Sequence, residues 1–199
     1  MVADGGNSTV ERCAEAPPEQ RAAAVSKVLE HALTQSGRSI FELSGSSPVL
    51  LVFLRHAGCS FCREALADLG RSRVAIEGSG THIVLVHMGD AVALDALLPR
   101  FGLSGVDRIC DPQQELYQAF GLRRGSRGQL FGPKVFWRGL FEGVLVRYGI
   151  GAPGADASQM PAVFLVDKSE IVRRFRHRSA ADRPNYLNFC AANPGHPSV

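Results

Sequence analysis

The chain has 199 residues, of which 45% are hydrophobic and 21% charged, and its formal net charge is +3. That length suits one well-buried domain and is short for two independent cores. The excess of Lys and Arg is scattered apart from small clusters at Arg123-Arg124 and Arg173 to Arg178, so charge gives no reason to invoke nucleic acid.

The first twenty residues are polar and carry Gly and Pro without a basic start or an apolar stretch. No secretion signal is expected, and residues 1–16 read as a disordered tail. Pro17-Pro18 leads into a helix over residues 19–35, with Ala22, Val25, Leu29, Ala32 and Leu33 at helical spacing and Gly37 as its stop. A turn over residues 44–48 precedes Val49-Leu50-Leu51-Val52-Phe53-Leu54, an unbroken apolar run that reads as a buried strand. A helix starting at Cys59 continues through Ala65, Leu66 and Leu69. Residues 82–88 form a second strand, residues 92–101 a helix, and residues 108–110 a short strand that turns at Asp111-Pro112 into a helix over residues 113–120.

Residues 127–151 are rich in aromatics, including Phe131, Phe136, Trp137, Phe141 and Tyr148. They read as a helical segment packed on the sheet or, functionally, as an apolar lid. Residues 149–158 are a Gly/Ala/Pro loop. Two strands, 162–166 and 171–176, flank the hairpin turn Asp167-Lys168-Ser169-Glu170. The arginines around Phe175 read as a solvated face of the second strand. A helix over residues 183–192 closes a single domain spanning 17–193, and 194–199 is a flexible tail. No apolar segment approaches the roughly 18–20 residues that cross a bilayer.

Strand and helix alternate first and a hairpin comes last, so a mixed central sheet with helices on both faces is expected. Cys59-Ser60-Phe61-Cys62 falls where the first central strand hands over to a helix. Free backbone N–H groups and the positive dipole end at a helix start favour a thiolate there. Residues three apart on a first turn share a face, so Cys62 can come within the roughly 4.4–6.8 Å Cα separation of a disulfide. Cys59, at the helix start, is the candidate nucleophile, and Cys62, one turn in, the resolving thiol. Ser60 and Phe61 shape the site between them. Two inert buried thiols are the plain alternative. Structural zinc is the other, but such sites usually take four ligands and the chain has no second CxxC, CxxH or HxxxH. Arg55 and His56 stand close enough before Cys59 to stabilise its thiolate, or they lie at the surface. The chain has five cysteines, an odd number with one close pair, which fits a reducing cytoplasm better than a secreted disulfide framework. Cys110 reads as a small buried residue, and Cys13 and Cys190 offer no better redox case.

Longer strings sharpen the picture: Leu54-Arg55-His56-Ala57-Gly58-Cys59-Ser60-Phe61-Cys62-Arg63-Glu64, Cys110-Asp111-Pro112, Leu116-Tyr117, Phe120-Gly121-Leu122, Gly132-Pro133-Lys134-Val135 and Trp137-Arg138-Gly139. Together they resemble the peroxiredoxin-like group of the AhpC/TSA superfamily, the relatives of selenoprotein L and the peroxiredoxin-like 2 proteins, over about residues 45–185. The resemblance implies a three-layer α/β thioredoxin-like fold and a thiol-disulfide or peroxide oxidoreductase with no bound cofactor. It implies a peroxide or disulfide substrate and a thiol reductant of the thioredoxin or glutathione type. It also implies a cis bond at Met160-Pro161, facing the cysteine pair and leaving the Met160 backbone open to a substrate. Departures matter: Val52 and His56 stand where typical peroxiredoxins carry Pro and Thr, and Phe53 replaces the buried aspartate of thioredoxin. A lipid endoperoxide reductase, like the prostamide/prostaglandin F synthase relatives, and a non-catalytic redox-sensing module are the competing functions.

Overall fold

The computed structural model describes residues 18–133, 135, 137 and 158–191. Strands β1 (Val49–Phe53), β2 (His82–His87), β3 (Asp107–Cys110), β4 (Ala162–Asp167) and β5 (Glu170–Arg176) form one sheet in the order β3-β2-β1-β4-β5. β1 pairs parallel with β2 and β2 with β3, whereas β4 runs antiparallel to both β1 and β5. This is the mixed sheet of a thioredoxin-like fold.

β1 is central and buried along its whole length, which explains why its sequence is an unbroken apolar run instead of an alternation. Its side chains divide by parity. Val49, Leu51 and Phe53 join Val84, Val86, Tyr117, Phe120 and Phe164 on one face. Leu50, Val52 and Leu54 join Leu66, Leu69, Ile83, Leu85 and both site cysteines on the other. The first face is covered by helices α1 (Pro18–His31) and α2 (Ile40–Ser46) and by α5 (Glu115–Ala119); Leu29 and Ile40 are fully buried there. The second is covered by α3 (Ser60–Gly78), which packs against the last helix, Tyr186–Ala191.

Several elements depart from the sequence expectation for local reasons. The first helix stops at His31, short of Gly37, because Leu33 bridges Ser39 and the Thr34 hydroxyl bonds to the Arg38 carbonyl, closing a turn. That turn leads into α2, a helix absent from the sequence expectation although Ser39 and Glu42 form a complete capping box. Asp107 on β3 anchors the connection by accepting hydrogen bonds from Gln35, Ser36 and Arg38.

The helix expected over residues 92–101 is two pieces. α4 (Ala91–Asp95) ends before a 3-10 turn, Leu98–Phe101, with Pro99 near its start. Cys110 is exposed, contrary to expectation, because β3 is an edge strand and Cys110 is its last residue. The arginines of β5 do more than meet solvent. Arg173 donates to the carbonyls of Asn188 and Phe189 in the last helix, and Arg176 to the carbonyl of Phe120 at the end of α5. Each ties an edge strand to a helix C-terminus, where a cation is favoured.

The hairpin between β4 and β5 forms as read, with Lys168 and Ser169 both at positive φ. Of the aromatic-rich segment, α6 (Arg127–Phe131) is described, Leu130 is buried and Trp137 is 59% exposed. Residues 134, 136 and 138–151 of that segment, most of the loop after it, Cys13 and the two tails lie outside the described residues. No described helix is long and apolar enough to cross a membrane.

Candidate active site

The parallel pair β1 and β2 ends at one edge of the sheet, and the chain leaves β1 there to begin α3. Cys59 is the N-cap of that helix, with extended backbone (φ −76°, ψ 121°) and no side-chain capping bond of its own. Its backbone N–H donates to His56 O at 3.1 Å, closing the turn that presents the pair. Cys62 lies one turn in. Both sulfurs are buried, Cys59 slightly less so at 8% exposed against 4%.

The Arg55 side chain turns inward, is only 7% exposed, and places Nη1 3.6 Å from Cys59 Sγ. Its backbone N–H donates to Cys62 Sγ at 3.3 Å. One residue therefore holds both sulfurs. The Cys59 thiol is pulled down to about 6, first by a hydrogen bond from the Cys62 thiol and then by the Arg55 cation, against burial, which acts upward. Cys62 moves the opposite way, well above the ordinary thiol value, because donating to Cys59 and complete burial both keep its proton in place. The two environments divide the pair into an anion and a proton donor.

His56 is not part of that charge arrangement. It is 9% exposed, and burial followed by the neighbouring Arg55 charge lowers its pKa and keeps the ring neutral. Ser60 is buried in the first turn of α3, and Phe61 is partly buried beside the pair. Phe61 and Cys62 line a cavity with Phe53, Pro161, His177 and Tyr186 whose free space is about 20 Å³, room for a single water.

Met160-Pro161 lies at this cavity but does not take the expected form, since the described residues contain no cis peptide bond. The Met160 N–H donates to Arg123 O at 3.2 Å, and Arg124 bridges Gln159 beside it. That pairing fixes the approach to β4 and engages the Met160 backbone that the resemblance leaves open to a substrate. The adjoining β4–β5 assignment stands.

Tyr117 was not singled out as a site residue. From α5 its hydroxyl donates its one proton to the Leu54 carbonyl at 2.5 Å, with the Val86 carbonyl 3.1 Å away, where the ends of β1 and β2 meet. Asp111 caps α5 by accepting from the N–H groups of Glu115 and Leu116. Among the described residues no cluster of three or more His, Cys, Asp or Glu side chains could hold a metal ion.

The charge division makes a measurable prediction. Alkylation of Cys59 by iodoacetamide, followed by peptide mapping against pH, should have its midpoint near pH 6, where the Cys59 thiolate forms. Below that pH the rate falls as the sulfur protonates. Cys62→Ala removes the largest stabilising contact and should move the midpoint up further than Arg55→Leu does. An ordinary thiol midpoint in the unmodified protein would contradict the geometry.

No curated protein is significantly similar to the chain in sequence. Solved structures share its fold. The bacterioferritin comigratory protein of Xanthomonas campestris, described for alkyl peroxide reduction, superposes with a TM-score of 0.51 at 13% identity, covering 73% of this chain and 79% of that one. Peroxidoxin BcpB of Mycobacterium tuberculosis gives 0.52 at 14% identity, covering 75% and 82%. A secreted M. tuberculosis disulfide oxidoreductase homologous to E. coli DsbE gives 0.51 at 14% identity, covering 81% and 93%. At such identities the likeness concerns the fold alone. The family match begins after the cysteine pair and does not include Cys59 or Cys62. It spans residues 68–180, more than half of the chain, and places the chain in the AhpC/TSA antioxidant enzyme family.

Proposed function

We propose that this protein is a thiol oxidoreductase that cycles Cys59 and Cys62 between dithiol and disulfide. The observation that carries the reading is the contact of Arg55 with both sulfurs, through Nη1 to Cys59 at 3.6 Å and the backbone N–H to Cys62 at 3.3 Å. Cys59, as thiolate, attacks a substrate sulfur or a peroxide oxygen. A disulfide substrate leaves a mixed disulfide, and a peroxide leaves a sulfenic acid. In either case Cys62 attacks Cys59 Sγ and closes the same bridge, releasing a thiol or water. A thiol reductant of the thioredoxin or glutathione type restores the dithiol, and no bound cofactor takes part. The reducing cytoplasm is the compartment that matches this cycle.

Substrate choice follows from what surrounds Cys59. Val52 and His56 occupy the places where a peroxiredoxin uses Pro and Thr to orient the peroxide, and the neutral His56 supplies no charge to the departing oxygen. The space beside Cys62 is water-sized, so among the described residues the substrate meets Cys59 at the rim of the site. This suits a disulfide or an organic hydroperoxide better than hydrogen peroxide. A turnover assay coupled to thioredoxin or glutathione reduction, run over a small disulfide, an organic hydroperoxide and hydrogen peroxide, tests the reading. The first two should outpace hydrogen peroxide by at least about tenfold, the effect of one missing contact of roughly 1.4 kcal/mol in the transition state. Near-diffusional reaction with hydrogen peroxide would refute the substrate assignment. No turnover with any of the three would leave a redox-sensing module as the function.

A further inference from the structure

Cys62 presents a chemical problem that the charge arrangement around Cys59 does not solve. Once Cys59 is tied up in a mixed disulfide, it no longer accepts the Cys62 proton, and Cys62 must lose that proton before it can attack. The sulfur is fully enclosed, and burial disfavours its anion. Thiol–disulfide exchange requires the thiolate, so something beside Cys62 must take the proton.

Behind the pair, on the side away from Pro161, a second small cavity is lined by Cys62, His56, His87, Leu54, Leu66 and Asp90. Its free space is about 10 Å³. That is at the lower edge of what one water molecule occupies, about 10–15 Å³. His87 is the last residue of β2 and is 3% exposed. Its Nδ1 lies 3.1 Å from the Gly89 carbonyl. A carbonyl only accepts, so the ring proton sits on Nδ1 and Nε2 carries the lone pair. That Nε2 is buried and has no hydrogen-bond partner among the described residues, and the same is true of Nδ1 of His56. Buried polar atoms are rarely left unpaired, and two of them face one cavity here.

We infer that His87 accepts the Cys62 proton through its Nε2, across a single water that His56 Nδ1 helps to hold, and that this step readies Cys62 to resolve the Cys59 adduct. Water with Cys62, His87 and His56 around it has the polar partners that a buried water requires. The step balances. The proton leaves Cys62 Sγ for His87, the Cys62 thiolate attacks Cys59 Sγ, the bond from Cys59 to the substrate sulfur breaks, and the proton ends on the departing thiolate. The enzyme dithiol is oxidised and the substrate disulfide reduced by the same electron pair.

The charges around His87 are compatible with a neutral ring. Burial acts first to keep it unprotonated; Gly89 O opposes, Arg108 from β3 helps, and Asp95 and Asp90 from the α4 side oppose weakly. Arg108 is itself engaged by Asp95 at 2.6 Å. From the cysteine loop Arg55 adds a further positive charge on the His56 side. The Tyr117 hydroxyl, beneath the loop, is committed to backbone carbonyls.

This inference rests on the cycling of Cys59 and Cys62, and the test separates the two. Reduced protein, in molar excess so that the acidic Cys59 takes the reagent ahead of the exposed Cys110, is mixed with dithiobis(nitrobenzoate) under single-turnover conditions. Attack by Cys59 releases one coloured thiolate, and resolution by Cys62 releases a second, so the two chemical steps appear as successive phases. In the unaltered protein the second phase should be level above neutrality and fall only as His87 protonates, below the ordinary histidine value of 6.5. In His87→Gln, which keeps a donor for Gly89 but cannot take up a proton, the second phase should slow about 100-fold at neutral pH. It should then climb about tenfold per pH unit, because Cys62 must ionise unaided. An unchanged second phase and profile in His87→Gln overturns the role of His87. So does a tenfold-per-unit rise in the unaltered protein, which needs no variant to fold. Absence of a first phase, or of a Cys59–Cys62 bridge in the product, overturns the cycling itself and the inference with it.

Discussion

Replacing Cys59 with serine should abolish reductant-coupled turnover, by on the order of 10⁴-fold or more, because a serine hydroxyl stays protonated in the same field that makes the sulfur an anion. Cys62→Ser gives a different failure. The first attack proceeds, but nothing displaces the adduct, so the protein accumulates as a mixed disulfide at Cys59 that intact-mass measurement detects. The same division predicts the product of mild oxidation. Diamide should bridge Cys59 to Cys62 because the Cys62 thiol already donates to Cys59 and the two residues stand one helical turn apart, within the reach of a disulfide. Cys110 is the competing thiol, since it is exposed, whereas Cys190 is buried. Cys110 is nonetheless a poor nucleophile, because partial desolvation of its sulfur and the Asp111 and Asp90 charges push its pKa up. Peptide mapping that found Cys59 bridged to Cys110, or free, would remove the basis for the proposed cycle.

The position of the cysteine pair was legible because two simple signals coincide there, an apolar run buried on both faces and a helix that begins right after it. The fold followed from the same alternation of elements, and the family match and the sheet order agree with it. What a sequence does not carry is the direction of a side chain in a short loop. Arg55 and His56 were equivalent candidates on spacing, and only the path of the loop separates them, with the Arg55 guanidinium at the sulfur and His56 on the other side of Cys62. The trans bond at Met160-Pro161 was equally invisible, as was the pairing of Met160 with Arg123, far away in sequence. Other misses had signals. Ser39 and Glu42 spell a capping box, and His87 is a polar residue at the C-terminal end of a buried parallel strand, the edge of such a sheet where functional groups gather.

Gly70→Ala should lose stability, with a sign that opposes helix propensity. Gly70 lies within α3, where exchanging glycine for alanine ordinarily favours the helix by about 0.8–1.0 kcal/mol. Here an added Cβ would fall 1.8 Å from the Phe101 carbonyl oxygen and 3.0 Å from its carbon. The obstacle is backbone, and it cannot retreat freely. The 3-10 turn ending at Phe101 closes through Gly102 at φ +71°, Leu103 beneath it is fully buried, and Arg73 of α3 donates to the Gly102 and Ser104 carbonyls at 3.0 and 2.9 Å. Separating α3 from this turn costs the overpacking penalty of about 1–3 kcal/mol and loosens those bonds, so a net loss of about 2 kcal/mol is expected from the urea midpoint. Stabilisation by the substitution would show that the turn yields easily. Gly70 is about 16 Å along the helix from Cys59, at roughly 1.5 Å per residue, so the alkylation midpoint of Cys59 should stay near pH 6. A shift in that midpoint would mean that the close contact at Gly70 sets the position of the helix start, and with it the field at the nucleophilic sulfur.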